Sequence, residues 1–366
     1  MQVKQITEII ETIAPLAYQE SYDNCGMQVG DQHMEVTGIL LTLDVTEDVV
    51  DEAINSGCNL IIAHHPLIFT GLKKITGRNY VERIVFKAIK NDVAIYAAHT
   101  NLDNMREGVN ATFAAKLGLT KTRILSQRND TLSKLFTYAP APAADKVRDA
   151  LFLAGAGRIG NYKECSFNIT GQGTFRAEKT AQPVIGEAGG NRELVKEVKI
   201  EVILEKHNQA SVIAALFAAH PYEEVAYELI PLPNYNQDIG AGMIGQLPEA
   251  MTGQEFLHFL KDKMKTDCIR HTAYTGKPIQ NVAVCGGSGS FLLKDALRAG
   301  ADVFVTADFK YHQFFDAEGK ILIADIGHYE TEQFTPEIFA AVLNKKLPNF
   351  AVRLSNVLTN PVKYFS

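Results

Sequence analysis

Residues 52–65 read EAINSGCNLIIAHH and residues 295–308 read DALRAGADVFVTAD. Each is a helix-like segment, a glycine turn and a short apolar run that ends in side chains able to bind protons or cations. A second pair of stretches keeps the same rhythm. DVAIYAAHTNLD (92–103) closes its apolar run with His99 and Asp103, and KILIADIGHYETE (320–332) closes one with His328 and Glu332. Short apolar runs alternating with amphipathic segments are the mark of βαβ units. We therefore expect an α/β protein made of two similar α/β halves, a duplicated unit, with the ordinary likeness of any two βα units as the alternative. Sheets of this class collect ligands outside the carboxyl ends of their strands, where these polar residues fall.

Outward from these stretches, the alternation starts near residue 37 with TGILLTLDV and runs through YVERIVFKAIKN and NATFAAKLGL. It lapses at 126–135. FTYAPAPAADKVRDALFLAGAG then reads as strand, turn and helix, CSFNITGQGTFRA as a strand hairpin, and the stretch from VKEVKIEVILEK to VAYELIPL as strand, helix, strand. That is the split βαβ pattern of a ferredoxin-like α+β module. The α/β pattern resumes after LPNYNQDIGAGMIGQLPEAMT. The expected organisation is thus 1–127 and 234–366 as two halves of one core, with 128–233 as an inserted ferredoxin-like α+β domain.

Composition narrows the function. The 366 residues are 46% hydrophobic, enough for a large core, and carry a net charge of −6. No basic run supplies the electrostatic footprint of a dedicated nucleic-acid binder, so nucleic acid is a weak expectation. Five scattered cysteines without a CxxC pair read as reduced thiols of a cytoplasmic protein. Val3, Ile6, Ile9, Ile10 and Ile13, interleaved with charges, form an amphipathic surface helix, so neither a signal peptide nor a membrane span is expected.

His64 and His65 follow LII and precede Pro66, where a strand must stop. At a strand end the backbone can turn both imidazoles towards one cavity. His328 and Glu332, four apart, share a face if a helical turn follows Gly327. With Asp103 they make three imidazoles and two carboxylates, a sufficient set for two divalent ions with one carboxylate bridging. Nitrogen and oxygen donors suit zinc, iron, manganese or cobalt without choosing among them. Capping or core hydrogen bonds are the alternative role for each residue alone. His99, His312 and Asp308 are candidates for proton transfer or for orienting a neighbour. Asp23 and Asn24 read as turn residues that could also line the site, and CGGSGS (285–290) as a tight turn or an anion cradle.

IIAHHPLIF, AAHTNLD, TADFKYH and IGHYETE, with SYDNCGMQVGD near the start, resemble the Nif-three-like family, whose bacterial members are called GTP cyclohydrolase 1 type 2 homologues. The likeness covers 1–127 and 234–366. The middle segment, with GAGRIGNY, CSFNITGQGTF and HPYEEVAY, is similar to the inserted PII/CutA-like domain of longer members. Tyr22 stands where many members carry tryptophan. The resemblance implies a dinuclear metal centre on His64, His65, Asp103, His328 and Glu332, and a toroidal homohexamer. It also implies hydrolytic opening of the guanine ring of GTP with release of formate. Three functions follow as expectations: a metal-dependent hydrolase on a nucleotide-like or other small substrate, a regulatory or scaffold protein whose insert senses a ligand, and a nucleic-acid-binding ring.

Overall fold

The apolar run before the histidine doublet forms a strand, Leu60–Ala63, buried along its whole length, as a strand covered on both faces must be. In the computed structural model, which describes residues 1–365, this strand is central in a five-stranded sheet. The order across the sheet is Gly26–Val29, Ala94–Ala97, Leu60–Ala63, Ile39–Thr42 and Val352–Leu354. The last four run parallel, with Leu60 opposite both Ile39 and Ala94, and the first is an antiparallel edge. Helices Glu47–Asn55 and Tyr80–Lys90 make the crossovers, capped by Thr46 and Asn79, whose side-chain oxygens accept the N–H groups of Val49 and Glu82. Val49, Val50, Ile84 and Val85 pack them on one face of the sheet. Ile6 and Ile10 of helix Val3–Glu11, with Phe339 and Leu343 of helix Thr335–Lys346, cover the other.

A six-stranded sheet follows the same plan. Its order is Arg270–His271, Leu322–Asp325, Val303–Ala307, Ile279–Ser288, Asn236–Met251 and Thr120–Arg128. The first four repeat the arrangement above: an antiparallel edge, then three parallel strands in reverse chain order. The strands ending at Ala63 and Ala307 therefore correspond, as do those ending at Ala97 and Asp325. One link differs, because a 3-10 turn, Tyr311–Ala317, stands where the first half has helix Tyr80–Lys90. Both sheets belong to one compact unit, Met1–Gln127 with Asp238–Ser366. No helix among the described residues is long and apolar enough to cross a membrane.

The second unit, Arg128–Gln237, is an antiparallel sheet ordered Phe167–Phe175, Glu193–Glu205, Leu132–Pro140, Tyr227–Leu232. Helices Ala144–Leu153 and Gln209–Ala219 cover one of its faces through Val147, Leu151, Val212 and Leu216, packed on Leu135, Ile200 and Val202. The expected hairpin within CSFNITGQGTFRA does not form. Residues 167–175 make a single strand, and neither Gly171 nor Gly173 adopts the left-handed backbone that a two-residue hairpin turn requires. The strand pairs instead with Glu193–Glu205 across a loop of residues 176–192.

Candidate metal centre

Parallel strands deliver their carboxyl ends to one side of a sheet, and the polar residues gather there. The strand before the doublet ends at Ala63, and His64 and His65 continue beyond it, their rings 4.9 Å apart. His64 is fully buried. Its Nδ1 lies 2.8 Å from the carbonyl oxygen of Ala98. A carbonyl can only accept, so Nδ1 carries a proton, and in the neutral ring Nε2 presents a lone pair. That lone pair faces two carboxylate oxygens, Asp103 Oδ1 at 3.5 Å and Glu332 Oε1 at 3.8 Å. His64 Nε2 and Asp103 Oδ1 are both buried with no hydrogen-bond partner, a costly arrangement unless something positive sits between them.

Two short helices bring the carboxylates in. Thr100–Asp103 follows strand Ala94–Ala97, and His328–Glu332 follows strand Leu322–Asp325. Asn101 anchors the first by accepting from His99 N–H (2.9 Å) and donating to the Ala14 carbonyl (2.6 Å). In the second, the four-residue spacing sets His328 Nε2 3.1 Å from Glu332 Oε2, and His65 Nε2 meets the same oxygen at 2.9 Å. Three overlapping groups result: His64, Asp103 and Glu332; His65, His328 and Glu332; and His64, His65 and His99. Within each, the donor atoms lie within 4.8 Å of one another. Glu332, almost wholly buried, belongs to two groups, one oxygen towards each.

Every imidazole of the cluster is oriented through its Nδ1. Asp44 holds His65 (2.7 Å), Asp308 holds His328 (2.7 Å) and Asp23 holds His99 (2.9 Å). Such outer partners fix the ring and its tautomer and leave Nε2 for the cavity. The electrostatics follow from these contacts. Burial opposes charge on His65, but hydrogen bonds to Asp44 and Glu332 prevail and raise its pKa to about 10. For His328 the charge of Glu332 and the bond to Asp308 overcome burial and raise it to about 11. Against its own burial, Glu332 is held well below the usual carboxylate range by these histidines. Asp103 is pushed up to about 7 by burial and then by the charge of Glu332.

Of the residues singled out from sequence, His64, His65, His99, Asp103, His328 and Glu332 lie together. Among the described residues, the hydrogen bond that ties Asp308 to the cluster is the one to His328. His312 is not brought in: it is exposed on the 3-10 turn, with its ring against Tyr311 and Phe315. The shortened link between the last two parallel strands leaves it there. Asp44 escaped the sequence reading, although it ends TGILLTLD by the strand-end logic that selected His64. Asp23 is more than a turn residue, because its carboxylate also accepts from the backbone and hydroxyl of Thr100. CGGSGS is drawn into the sheet instead: residues 285–288 belong to strand Ile279–Ser288, the N–H groups of Gly286 and Gly287 donate to Asn110 and Thr331, and these two glycines make room for Glu332. At Gly287, with φ +59°, a Cβ would fall 2.5 Å from Glu332 Oε1. At the rim, Tyr22 and Phe69, 64% and 50% exposed, set their rings 6.4 Å apart, and Phe69 lies 6.4 Å from His99.

Residues 1–361 match the profile of a family described as Duf34/NIF3 (NGG1p interacting factor 3). A Bacillus subtilis (strain 168) protein named GTP cyclohydrolase 1 type 2 homolog is 39% identical over 366 residues, covering 99% of this chain and 98% of its own. Among solved structures, a Bacillus cereus protein related to NIF3 matches with a TM-score of 0.87 at 38% identity, covering 100% of this chain and 99% of that one. Staphylococcus aureus protein SA1388 matches with a TM-score of 0.79 at 30% identity, with the same coverage.

Proposed function

The chain belongs to the Duf34/NIF3 family, and from that premise we propose that it is a metal-dependent hydrolase with a dinuclear centre acting on a small, nucleotide-like substrate. One observation carries the reading. With Asp103 ionised and the His64 ring neutral, as metal binding requires, three acceptor atoms, His64 Nε2, Asp103 Oδ1 and Glu332 Oε1, converge in a buried space with no donor among them. A cation resolves that convergence. His64, Asp103 and Glu332 would hold one ion, and His65, His328 and Glu332 a second, with Glu332 shared. We take zinc or iron as the first candidates, with manganese or cobalt as alternatives that the same donors admit. When bound, such ions supply electrophilic polarisation and a water acidic enough to act as a nucleophile near neutral pH.

The remaining tasks fall to the chain. Asp44 and Asp308 keep Nε2 of His65 and His328 directed into the cluster. His99, backed by Asp23, would take and return a proton at Nε2. Tyr22 and Phe69 offer aromatic faces to a planar substrate, which supports a purine nucleotide over a flexible ester. The homohexamer belongs to the same reading, supported by Phe86 and Ile89, whose exposed apolar side chains lie on one face of helix Tyr80–Lys90.

The test couples metal content to turnover. Purified chain should carry about two transition-metal ions, and formate should be released from GTP, lost on chelation and restored by metal. Metal-loaded protein inert towards GTP and a wide set of nucleotides, phosphoesters and amides would sink the hydrolase reading. The regulatory reading then takes its place, and a cavity in the unit Arg128–Gln237 favours it.

A further inference from the structure

The sheet of the unit Arg128–Gln237 has two helices on one face only. On the other face the register sets Tyr138, Lys199 and Ile169 in one row and Pro140, Glu197 and Gly171 in the next. The loop of residues 176–192 is far longer than most hairpin connections, a length that usually marks function or disorder. Here it folds back over the bare face. Gly189 N–H donates to the Ala177 carbonyl (2.9 Å), and Gln182 N–H donates to the Glu223 carboxylate (2.8 Å). Between loop and sheet lies a cavity of 740 Å³, within the roughly 300–1,000 Å³ of small-molecule sites. Its walls are mostly apolar, with Ile169, Val184 and Ile185 facing Phe175, whose ring meets Tyr222 edge-on at 6.0 Å.

Glu197 stands out in this apolar space. Its Oε1 accepts from the Tyr222 hydroxyl at 2.9 Å, and among the described residues its Oε2 makes no hydrogen bond. The floor around it is kept clear by glycine. A Cβ at Gly173 would fall 2.0 Å from Glu197 Oε2, so the missing side chain is what lets the carboxylate lie across the strand. A Cβ at Gly171 would meet nothing within 4 Å. Lys199 is already engaged by Glu201 at 2.8 Å. Arg176 is then outnumbered by Glu178, Glu197, Glu223 and Glu224 along the lining, so the space favours positive charge.

We propose that this cavity binds a small organic cation, its flat apolar body against Phe175 and Ile169 and an amino or amidino N–H donating to Glu197 Oε2. The site needs nothing from the hydrolase reading, since every residue named lies in the Arg128–Gln237 unit. Benzamidine is the probe, titrated into the full-length chain and followed by calorimetry and ligand-observed NMR, with benzoate as the anionic counterpart of the same ring. Benzamidine should bind and benzoate should not. Glu197→Gln should weaken benzamidine about tenfold or more, the worth of a charge-assisted hydrogen bond. Gly171→Leu, which fills open space, should abolish binding while thermal midpoint and metal content stay unchanged. Equal binding of benzoate, no binding of benzamidine, or benzamidine binding indifferent to both substitutions would overturn the proposal.

Discussion

Glu332 decides how the cluster behaves, because its two oxygens face different groups. Replacing it with the isosteric glutamine should remove both ions, whereas His328→Ala should remove one and leave the His64, Asp103 and Glu332 group able to hold the other. Metal analysis of the two variants checks this, and equal losses would contradict a shared carboxylate. The protons give a second expectation. In the metal-free protein His65 and His328 keep their protons up to about 10 and about 11, and a cation must displace both. Binding should therefore tighten as pH rises from 7 towards 10, with about two protons released per chain once Asp103, whose carboxyl lies at about 7, is ionised, and about half a proton more at pH 7 itself. Calorimetry in buffers of different ionisation enthalpy counts them, and affinity that falls with pH in this window would refute the assignment. Local sequence singled out the residues that lie together because each follows an apolar run. It did not reveal the partners Asp44 and Asp23 in their roles, since these reach His65 and His99 across 21 and 76 residues, and no local spacing encodes such a pairing.

At the scale of elements, the second parallel strand set does more than close a sheet. Strand Ile279–Ser288 brings Gly286 and Gly287 against Glu332, so the strand end is shaped by the carboxylate it must admit. Gly287→Ala should cost about 1–2 kcal/mol for the left-handed backbone alone and should also lower metal content, because the new methyl meets Glu332 Oε1. Gly300→Ala is the matched control: its φ is +75°, and a Cβ there meets nothing within 4 Å. It should show a similar loss in thermal stability with full metal content. If both variants keep their metal, the close approach at Gly287 is immaterial. The alternation of the chain announced the parallel strands and their helices, since burial on both faces requires continuous apolar runs. It misjudged CSFNITGQGTFRA, where two glycines suggest a turn but neither makes one, and Gly173 instead clears space beside Glu197, a demand set by a neighbouring strand. It likewise offered His312 as a site residue, unable to foresee that a 3-10 turn would replace the last crossover helix.

For the molecule as a whole, the point where the chain leaves one unit for the other is informative. It departs on strand Thr120–Arg128 and returns on strand Asn236–Met251, which are neighbours in the six-stranded sheet. At Gly240 a Cβ would fall 2.8 Å from the Cα of Gln127. Replacing residues 128–237 with a short turn should therefore leave a folded chain that still binds metal, to be checked by circular dichroism and metal analysis. An insoluble product would mean that the core depends on the excised segment. The excursion has a counterpart within the second unit, whose first and last strands pair directly, Leu132 opposite Leu232. Bringing Thr120–Arg128 and Asn236–Met251 together across about 110 unstructured residues would cost about 3 kcal/mol more chain entropy than closing a four-residue hairpin. If Arg128–Gln237 folds first, it has already met that cost, and the larger unit can zip the two strands as though they were joined by a tight turn. Synthesis from the ribosome favours this order, because the last strands of the six-stranded sheet emerge only after the second unit is complete.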